Sequence, residues 1–448
     1  MRIAVFLLYR RRYHRKGELN APDAAEPARG SAEVRIHSEV TTRHACKAHH
    51  GPQYAGWPSY HESYERWCFS GRQAQIPPIP GGQPRVFTLR TIPDTLRIRS
   101  YIEEHAPRKA VVIGGGYIGV EMAENLTKAG LEVTIVEASD HIIGPLDYDM
   151  ACEAQRYLRS QGVQLLTGQT VTAFDDSGSA LSISLSNGQR LTADMALLSV
   201  GVRPETELAQ NAGIRCNAKG SIVVDRQMRT SARDVYAVGD AVEVTHVVTG
   251  QKAFLPLAGP ANKQGRIAAD NICGLASRYS GSQGSSILKL FDMTVASTGI
   301  NERAAIDAGI DYDKVFTFSP SHATYYPGAS NLTIKTIFES NSGKILGAQV
   351  VGFDGVDKRC DVLATAIRAG MTAYDLTELE LCYAPPYSSA KDPVNMAGYM
   401  IENLLTGKVR QFHWHDIPSL PRDGSVTLLD VRTPEEYARG HIDGFIKI

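Results

Sequence analysis

A glycine-rich turn between an apolar run and a helical pattern constrains the fold of this chain more than any other feature. The segment GGGYIG at 114–119 directly follows the apolar run AVVI. In a strand–turn–helix unit the chain turns tightly at Gly114, a pyrophosphate approaches the backbone at Gly116, and Gly119 lets the helix pack closely on the strand. The positive N-terminal end of that helix then faces the phosphates. This pattern predicts a dinucleotide-binding domain.

An acidic residue at the end of the next strand strengthens this prediction. The helix is expected to end at Gly130, as a C′ glycine does, and a strand over 133–136 precedes Glu137, 18 residues past Gly119. A carboxylate there accepts from a ribose 2′-hydroxyl and repels a 2′-phosphate, which favours NADH over NADPH unless a nearby Arg or Lys offsets it. The alternative is a glycine-rich turn in a nucleotide-free α/β domain. The candidate residues are Gly114, Gly116, Tyr117, Ile118, Gly119 and Glu137.

A second motif is the segment TSARDVYAVGD at 230–240, which predicts a strand ending in Gly239 and Asp240. A carboxylate at the carboxyl end of a strand can hold a hydroxyl of a polyol. A plain strand and turn is the alternative for this segment. Its position after a complete nucleotide-binding unit favours the binding interpretation.

Composition and charge exclude several classes of protein. The 448 residues include 47 Lys and Arg against 48 Asp and Glu, so a net charge of -1 offers no attraction for nucleic acid or an anionic membrane. No apolar run is long enough to span a bilayer, and we expect no membrane partner. The seven cysteines are never closer than 22 residues, which predicts no metal site and a cytoplasmic protein with reduced thiols. The length predicts two to four domains.

The composition and the periodicity of the sequence change along the chain. Residues 10–75 contain two of the three Trp and six of the thirteen His and show no regular period. From about residue 108, short apolar runs alternate with amphipathic segments, as in parallel sheets with crossover helices. The stretch 288–411 combines strands and helices in a further compact unit. A final strand is predicted over 427–431.

The two motifs, in this order, resemble those of the flavoprotein disulfide reductases, which bind two dinucleotides. Further segments narrow the resemblance to coenzyme A-disulfide reductases, in particular the subgroup fused to a C-terminal rhodanese domain. These segments are FLPLAGPAN at 254–262, residues 322–327, YAPPYSSAKDP at 383–393 and FHWH at 412–415. The resemblance covers about 370 residues, from Ile76 onward.

This resemblance implies an enzyme that passes a hydride from NAD(P)H to FAD and then reduces a disulfide, persulfide or polysulfide of coenzyme A type, or oxygen. Asp240 would bind the ribityl chain and Tyr117 would stand where the nicotinamide stacks. Tyr325 and Tyr383 match tyrosines that reach the partner subunit's site in a homodimer, although Tyr326 is an alternative to Tyr325 and core or interface roles stay open. The implied cofactor-binding residues outside the first site are Gly201, Gly239, Asp240, Pro256, Leu257, Ala258 and Gly259.

The predicted fold class is α/β, with two Rossmann-like dinucleotide-binding domains, the first incomplete, an α+β dimerisation domain and a fragment of a rhodanese domain. The FAD-binding domain is assigned to 1–107 and 226–290, and the NAD(P)-binding domain to 108–225. The dimerisation domain is assigned to 291–411. The linker and truncated rhodanese start take 412–448, where the segment LLDVR resembles a rhodanese opening. The persulfide-carrying cysteine loop of a rhodanese would lie beyond Ile448, so no sulfur transfer is expected.

The first 107 residues depart from the family pattern, since they contain neither GxGxxG nor a Cys-Gly pair. Short segments that match the family are separated by segments that do not, which suggests shifted reading frames. Translation of the other two frames of the corresponding DNA would test this hypothesis. The alternative is a divergent segment. Cys46 and Cys68 lack the expected neighbours, so neither is nominated as the redox cysteine. A chain without that cysteine and the first phosphate turn has a second interpretation: a non-catalytic remnant that binds NADH and dimerises.

Overall fold

The computed structural model of the chain describes residues 67–69, 72–74 and 84–448. Most of the segment for which shifted reading frames are suggested, including Cys46, lies outside these ranges. The first two strands, β1 and β2, are short and lie at Trp67–Phe69 and Arg72–Ala74.

A parallel five-stranded sheet forms the dinucleotide-binding unit. Its order is β3-β10-β4-β5-β6, with β3 at Val86–Thr88, β4 at Lys109–Ile113, β5 at Glu132–Val136, β6 at Gln164–Leu166 and β10 at Met195–Leu198. The central strands are nearly continuous apolar runs because both faces of the parallel sheet are buried. One face packs on the helices α1 at Ile92–His105, α2 at Tyr117–Lys128 and α3 at Tyr148–Ser160, and the other packs on the strands over 171–193.

The first sheet contains one strand from outside the predicted 108–225 unit. Strand β3 pairs in parallel with β10, although the sequence assigns the stretch 1–107 to the other domain. A separate antiparallel sheet follows β6 and is formed by β7 at Val171–Asp175, β8 at Leu181–Leu185 and β9 at Arg190–Ala193. Short connections over 176–180 and 186–189 join these strands.

Among the residues that the structure describes, the second unit consists of small two-stranded pairings. Strand β11 at Val202–Pro204 pairs with β2, β12 at Val235–Ala237 pairs in parallel with β1, and β13 at Val244–Thr245 pairs with β14 at Lys252–Ala253. The helices of this unit are α4 at Glu207–Asn211 and α5 at Ala258–Ile272. A 3-10 turn at Gly239–Ala241 follows β12.

An antiparallel five-stranded sheet forms the third unit. Its order is β15-β16-β19-β18-β17, with β15 at Ser286–Leu290, β16 at Met293–Gly299, β17 at Tyr312–Pro320, β18 at Asn331–Glu339 and β19 at Ile345–Gly352. Strand β15 lies before the predicted boundary at residue 291, so the sheet begins earlier than that prediction. The helices are α6 at Glu302–Asp307, α7 at Val356–Ala369, α8 at Ala373–Glu378 and α9 at Pro393–Leu405.

The C-terminal segment adds little regular structure. The strand predicted over 427–431 is confirmed only at its centre, where β20 at Leu429–Asp430 pairs in parallel with β21 at Ile446–Lys447. A 3-10 helix at Trp414–Ser419 and α10 at Pro434–Arg439 complete this segment. Assignment of this region to a rhodanese domain stays a prediction.

The parallel sheet and the antiparallel sheet share one apolar core. Leu288, Leu290 and Val295 of the antiparallel sheet belong to the same buried cluster as Val112 and Ile135. Between the two units lies a cluster of buried and half-buried charges together with one buried amide side chain, which we name the Lys335 cluster: Asp147, Asp149, Glu302, Lys314, Lys335 and Gln349. This packing joins the dinucleotide-binding unit to the antiparallel sheet.

The charges of this cluster predict a pH dependence of stability. Burial opposes the ionisation of Glu302, but its hydrogen bonds to Lys314 and Lys335 outweigh burial and lower its pKa to about 2, from 4.5. A carboxyl with a lowered pKa stabilises the fold above the pKa of the unfolded state, and this contribution is lost as the pH falls. With solvent screening it is worth roughly 2 kcal/mol.

We therefore expect Glu302→Gln to lower the free energy of unfolding by roughly 2 kcal/mol at pH 7 and by progressively less from pH 5 to pH 3. Urea unfolding of both proteins at each pH measures the difference. A difference that stayed constant over this range would contradict the assigned pKa direction.

Candidate functional site

The glycine turn after β4 has the geometry that the sequence predicts. Gly114 adopts a φ of +103°, and a side chain there would place Cβ 2.5 Å from the carbonyl oxygen of Ser199. A Cβ on Gly119 would overlap the Gly114 carbonyl oxygen. The Ser199 hydroxyl donates to this same oxygen at 2.9 Å. Only glycine at these two positions allows α2 to approach the strand ends so closely.

The N-terminal end of α2 is open toward the space where a phosphate would lie. Gly116 is the N-cap residue and makes no side-chain cap, and the first turn of the helix contains no acidic residue. A Cβ on Gly116 would meet no atom within 4 Å. The amide groups of Tyr117, Ile118 and Gly119 start the helix and have no acceptor one turn earlier within it. The N-terminal end of α2 therefore fits an anionic ligand.

Glu137 lies directly after β5 and binds the glycine turn itself. Its carboxylate accepts from the amide of Gly115 at 2.6 Å and from the amide of Ser139 at 2.8 Å. The side chain is partly exposed, and a carboxylate has about four lone-pair positions, so it can still accept from a ribose hydroxyl. Its predicted role at the ribose stays a prediction.

Replacement of Glu137 with arginine is expected to shift the NADH-to-NADPH preference by roughly tenfold toward NADPH, because a guanidinium pairs with a 2′-phosphate. The affinity for both nucleotides should fall, since the variant loses the hydrogen bond to the Gly115 amide. Glu132→Arg is the matched control, because Glu132 begins the same strand and is exposed. Steady-state kinetics with each nucleotide measure the ratio. An unchanged ratio would show that the strand end does not face the ribose.

Tyr117 links the dinucleotide-binding unit to the antiparallel sheet. Its hydroxyl lies 2.5 Å from the Ser286 hydroxyl, which lies 3.0 Å from that of Ser297. Burial raises the pKa of Tyr117, so the phenol is neutral at physiological pH. Gly201, with a φ of +101°, follows the neighbouring strand β10. Whether these residues contact a nicotinamide stays a prediction.

The residues predicted for the flavin lie on two adjacent segments of the second unit. Gly239 has a φ of +70°, and its amide donates to the Gln264 side chain of α5 at 2.6 Å. Asp240 occupies the following 3-10 turn. Helix α5 starts at Ala258, and its N-cap Leu257 makes no side-chain cap. The structure therefore brings the Asp240 turn beside α5, the helix that begins with the Pro256 to Gly259 segment.

The two predicted tyrosines are neighbours in the third unit. The hydroxyls of Tyr325 and Tyr383 lie 3.3 Å apart, and 75% of Tyr325 and 49% of Tyr383 are exposed. The hydrogen bond to Tyr383 raises the pKa of Tyr325. Tyr326 instead packs edge-on against the His322 ring, with the centroids 5.9 Å apart. Of the two adjacent tyrosines, Tyr325 is therefore the one paired with Tyr383.

A cavity of about 430 Å³ adjoins this pair and is lined by Tyr383, Tyr387, Lys358 and Cys382, among others. Cys382 is exposed, whereas burial raises the pKa of Cys360 to about 12 and keeps that thiol protonated. Lys358 and this cavity could not be predicted from the sequence. No local motif marks them, because the cavity forms where α7 meets the segment before α9.

Three carboxylates that lie close enough to share a cation are Asp147, Asp149 and Glu302. The ammonium group of Lys335 lies among them, 2.9 Å from an oxygen of Asp147 and 2.8 Å from one of Asp149. A side-chain cation thus neutralises this group. Within the described ranges, no helix is both long and apolar enough to cross a bilayer.

Comparison with known proteins agrees with this architecture. Residues 70–265 match the family model of pyridine nucleotide-disulphide oxidoreductases, and residues 285–393 match the dimerisation domain of the same family. The chain is 36% identical to the NADH oxidase of Methanocaldococcus jannaschii, over 76% of this chain and 75% of that protein. It is 34% identical to the coenzyme A disulfide reductase of Staphylococcus haemolyticus, over 71% of each.

The solved structures give the same result. The reduced CoADR-RHD protein of Bacillus anthracis superposes with a TM-score of 0.83 at 46% identity, and the match covers 87% of this chain and 70% of that one. An NAD-dependent persulfide reductase from A. fulgidus superposes with a TM-score of 0.79 at 39% identity, over 86% and 70%. This chain belongs to the pyridine nucleotide-disulphide oxidoreductase family.

Proposed function

We propose that this chain is an FAD-dependent oxidoreductase that takes a hydride from NAD(P)H, with NADH favoured, and reduces a disulfide or persulfide of coenzyme A type or oxygen. The observation that carries the proposal is the glycine turn, in which Gly114 and Gly119 admit no side chain and Gly116 opens onto an uncapped helix end. The family relationship supports the same chemistry, because members include NADH oxidases and coenzyme A disulfide reductases.

The residues of the dinucleotide-binding unit fit NAD(P)H. The first amides of α2 would bind the pyrophosphate, and Glu137 would orient the adenosine ribose while it holds the Gly115 amide. Gly116 leaves room for the approach of the phosphate. Tyr117 stands between this turn and the antiparallel sheet, where it would shield the nicotinamide position from water.

The described residues of the second unit fit a flavin. The N-terminal end of α5 has no side-chain cap and no acidic residue in its first turn. Its positive helix dipole can therefore face an electron-rich ring. Asp240 would accept hydrogen bonds from the ribityl hydroxyls. When bound, FAD accepts the hydride and passes electrons to the acceptor.

The tyrosine pair supports a substrate site shared between two copies of the chain. Tyr325 and Tyr383 are exposed on the unit that matches a dimerisation domain, and each is aligned by the hydroxyl of the other. In a homodimer such a pair would contribute to the site of the partner subunit. The proposal includes the homodimer, a coenzyme A type substrate and a cytoplasmic location.

A second candidate function is a non-catalytic remnant that binds NADH and dimerises. One observation favours it: residues 1–107 contain neither GxGxxG nor a Cys-Gly pair. Acceptor assays separate the two functions. Anaerobic NADH oxidation with release of thiol from coenzyme A disulfide or persulfide supports a reductase, and NADH oxidation only in air supports an oxidase. A protein that binds NADH but oxidises it under neither condition would be the remnant.

Replacement of Tyr383 with phenylalanine is expected to lower kcat/KM for a coenzyme A type acceptor roughly tenfold, because one oriented hydroxyl is lost. The rate at which NADH reduces the protein should not change. Tyr374→Phe is the matched control, because Tyr374 is similarly exposed but lies on α8. Equal effects of the two substitutions, or a slower reduction by NADH in Tyr383→Phe, would contradict the assignment.

A further inference from the structure

The Lys335 cluster holds a buried ammonium group at the boundary of two units. Lys335 lies in β18 with none of its side chain exposed. Its ammonium group pairs with Asp147, Asp149 and Glu302. Burial alone would lower the pKa of Lys335, but the three carboxylates outweigh burial and raise it. The charge is therefore retained, and it neutralises acids that belong to both units.

Asp147 of the dinucleotide-binding unit makes three hydrogen bonds to residues of the antiparallel unit. Its amide donates to the Gln349 side-chain oxygen at 2.7 Å, and its carboxylate accepts from the Gln349 amide group at 2.6 Å. The backbone amide of Glu302 donates to the same carboxylate at 3.0 Å. Gln349 is 1% exposed. The position of Asp147 is thus set from outside its own unit.

The segment before Asp147 reaches the glycine turn directly. The amide of Ile143 donates to the carbonyl oxygen of Gly115 at 2.9 Å. The Ile142 side chain fills the space beside Gly115, where an added Cβ would lie 2.5 Å from it. Both isoleucines are buried. Ile143 has a φ of +57°, a strained conformation for a β-branched residue, so other contacts must hold it.

A second set of contacts ties the same segment to the antiparallel unit. The amide of Leu146 donates to the Ile143 carbonyl oxygen at 2.8 Å, which closes the loop next to Asp147. The Asn301 side chain donates to the carbonyl oxygens of Gly144 and Pro145, each at 3.5 Å. Gly115 is therefore connected to Lys335 through one short loop over 142–147, which is buried except at Gly144 and Pro145.

We propose that Lys335 is a positioning residue for the dinucleotide site: through Asp147 and the loop over 142–147 it holds the Gly115 peptide, and with it the glycine turn, in the conformation that binds pyrophosphate. This inference rests on the proposed binding of NAD(P)H at the turn. Lys335 touches no substrate. Its effect is on the affinity for the dinucleotide.

The test uses ADP-ribose, which carries the pyrophosphate but no nicotinamide, so binding is measured without hydride transfer. Isothermal titration of the full chain compares wild type, Lys335→Met and Gln349→Met. Gln349→Met is nearly isosteric and removes only the two bonds to Asp147, so it decides the question if Lys335→Met fails to fold. We expect Kd to rise roughly tenfold in Lys335→Met and several-fold in Gln349→Met.

The control for loss of stability is Ile337→Ala, which removes a fully buried side chain of the same strand that packs in an apolar cluster with Ile300 and Leu346. It should lower Tm and leave Kd within twofold of wild type. In NADH kinetics, Gln349→Met should raise KM and leave kcat unchanged. A Gln349→Met protein with the Kd of Ile337→Ala would overturn the inference. A wild-type chain that binds no ADP-ribose would instead overturn the proposed function.

Discussion

We expect replacement of Gly119 with valine to abolish NADH binding and to lower kcat/KM at least about 100-fold. The first side-chain atom at this position would overlap the Gly114 carbonyl oxygen and lie 2.6 Å from the Ser199 hydroxyl. Since Gly114 is itself packed on the Ser199 carbonyl, the turn has no direction in which to relax. Helix α2 must then move away from the strand ends and lose its alignment with the phosphates.

Two other glycines separate this steric effect from a general effect of substitution. Gly440→Ala is a control, because Gly440 lies in the C-terminal segment and an added Cβ there meets no atom within 4 Å, and it should behave as wild type. Gly116→Ala should fold normally for the same reason, yet weaken NADH binding, because the phosphate approaches its backbone. Fluorescence titration with NADH and thermal unfolding measure the two effects. A Gly119→Val protein with wild-type affinity would show that the turn does not bind the dinucleotide.

Replacement of Arg359 with methionine is expected to destabilise the third unit by about 3 kcal/mol, because it removes the nearer of the two cations of the buried Asp392 carboxylate and leaves only the Lys358 ammonium group, 3.6 Å away. Arg359 is 1% exposed, and its guanidinium lies 3.0 Å from a carboxylate oxygen of Asp392. It also donates to the carbonyl oxygen of Ser321 at 2.8 Å. Asp392 in turn caps α9, where it accepts from the amide of Val394 at 3.0 Å.

The ionisation of Asp392 explains the size of this effect. Burial raises its pKa, but hydrogen bonds from Val394 and Ser388 and the charge of Arg359 outweigh burial and lower it. The carboxylate is therefore charged at neutral pH. Its stabilising contribution is present above the pKa of an unfolded Asp and disappears as the pH falls below it.

Two variants test this interpretation by urea unfolding at pH 7. Arg303→Met, which removes a cation from an exposed pair with Asp307 at 4.0 Å, should cost less than about 0.5 kcal/mol. The double variant Arg359→Met with Asp392→Asn should recover part of the loss, because no uncompensated charge remains. An Arg359→Met protein as stable as Arg303→Met would contradict the account.

The parts of the site that depend on neighbouring residues could be predicted from the sequence. The turn over 114–119, the C′ position of Gly130 and the acid after β5 all follow from local rules about glycine conformation and strand ends. The structure confirms the turn and a φ of +92° at Gly130. Their roles toward a ligand stay predictions until binding is measured.

The parts that depend on distant residues could not be predicted. Lys335 pairs with Asp149 across 186 positions of sequence, and Gln349 bonds to Asp147 across 202. No periodicity or motif indicates such partners, because the contact exists only once two sheets have packed. The same reason explains β3: its three residues join the parallel sheet by pairing with a strand more than 100 positions later.

The two predicted domain boundaries that differ from the observed sheets have the same cause, because each depends on strand pairing between units. Residues 84–107 and 286–290 are unremarkable in composition, so the sequence assigns them by their place in the chain. Strand β15 instead completes the antiparallel sheet by pairing with β16 through a hairpin that turns at Phe291, where the amide donates to Glu124 of α2 at 2.8 Å. A hydrogen bond across units fixes this hairpin, and no local rule predicts it.

The proposed function requires that this chain carries FAD and that NADH reduces it. The visible absorption spectrum of the purified chain, recorded before and after anaerobic addition of NADH, measures both properties in one sample. We expect the bands of an oxidised flavin, bleached by NADH in the wild type and not in Gly119→Val. A colourless protein, or flavin bands that NADH leaves unchanged in the wild type, would rule out the proposed function.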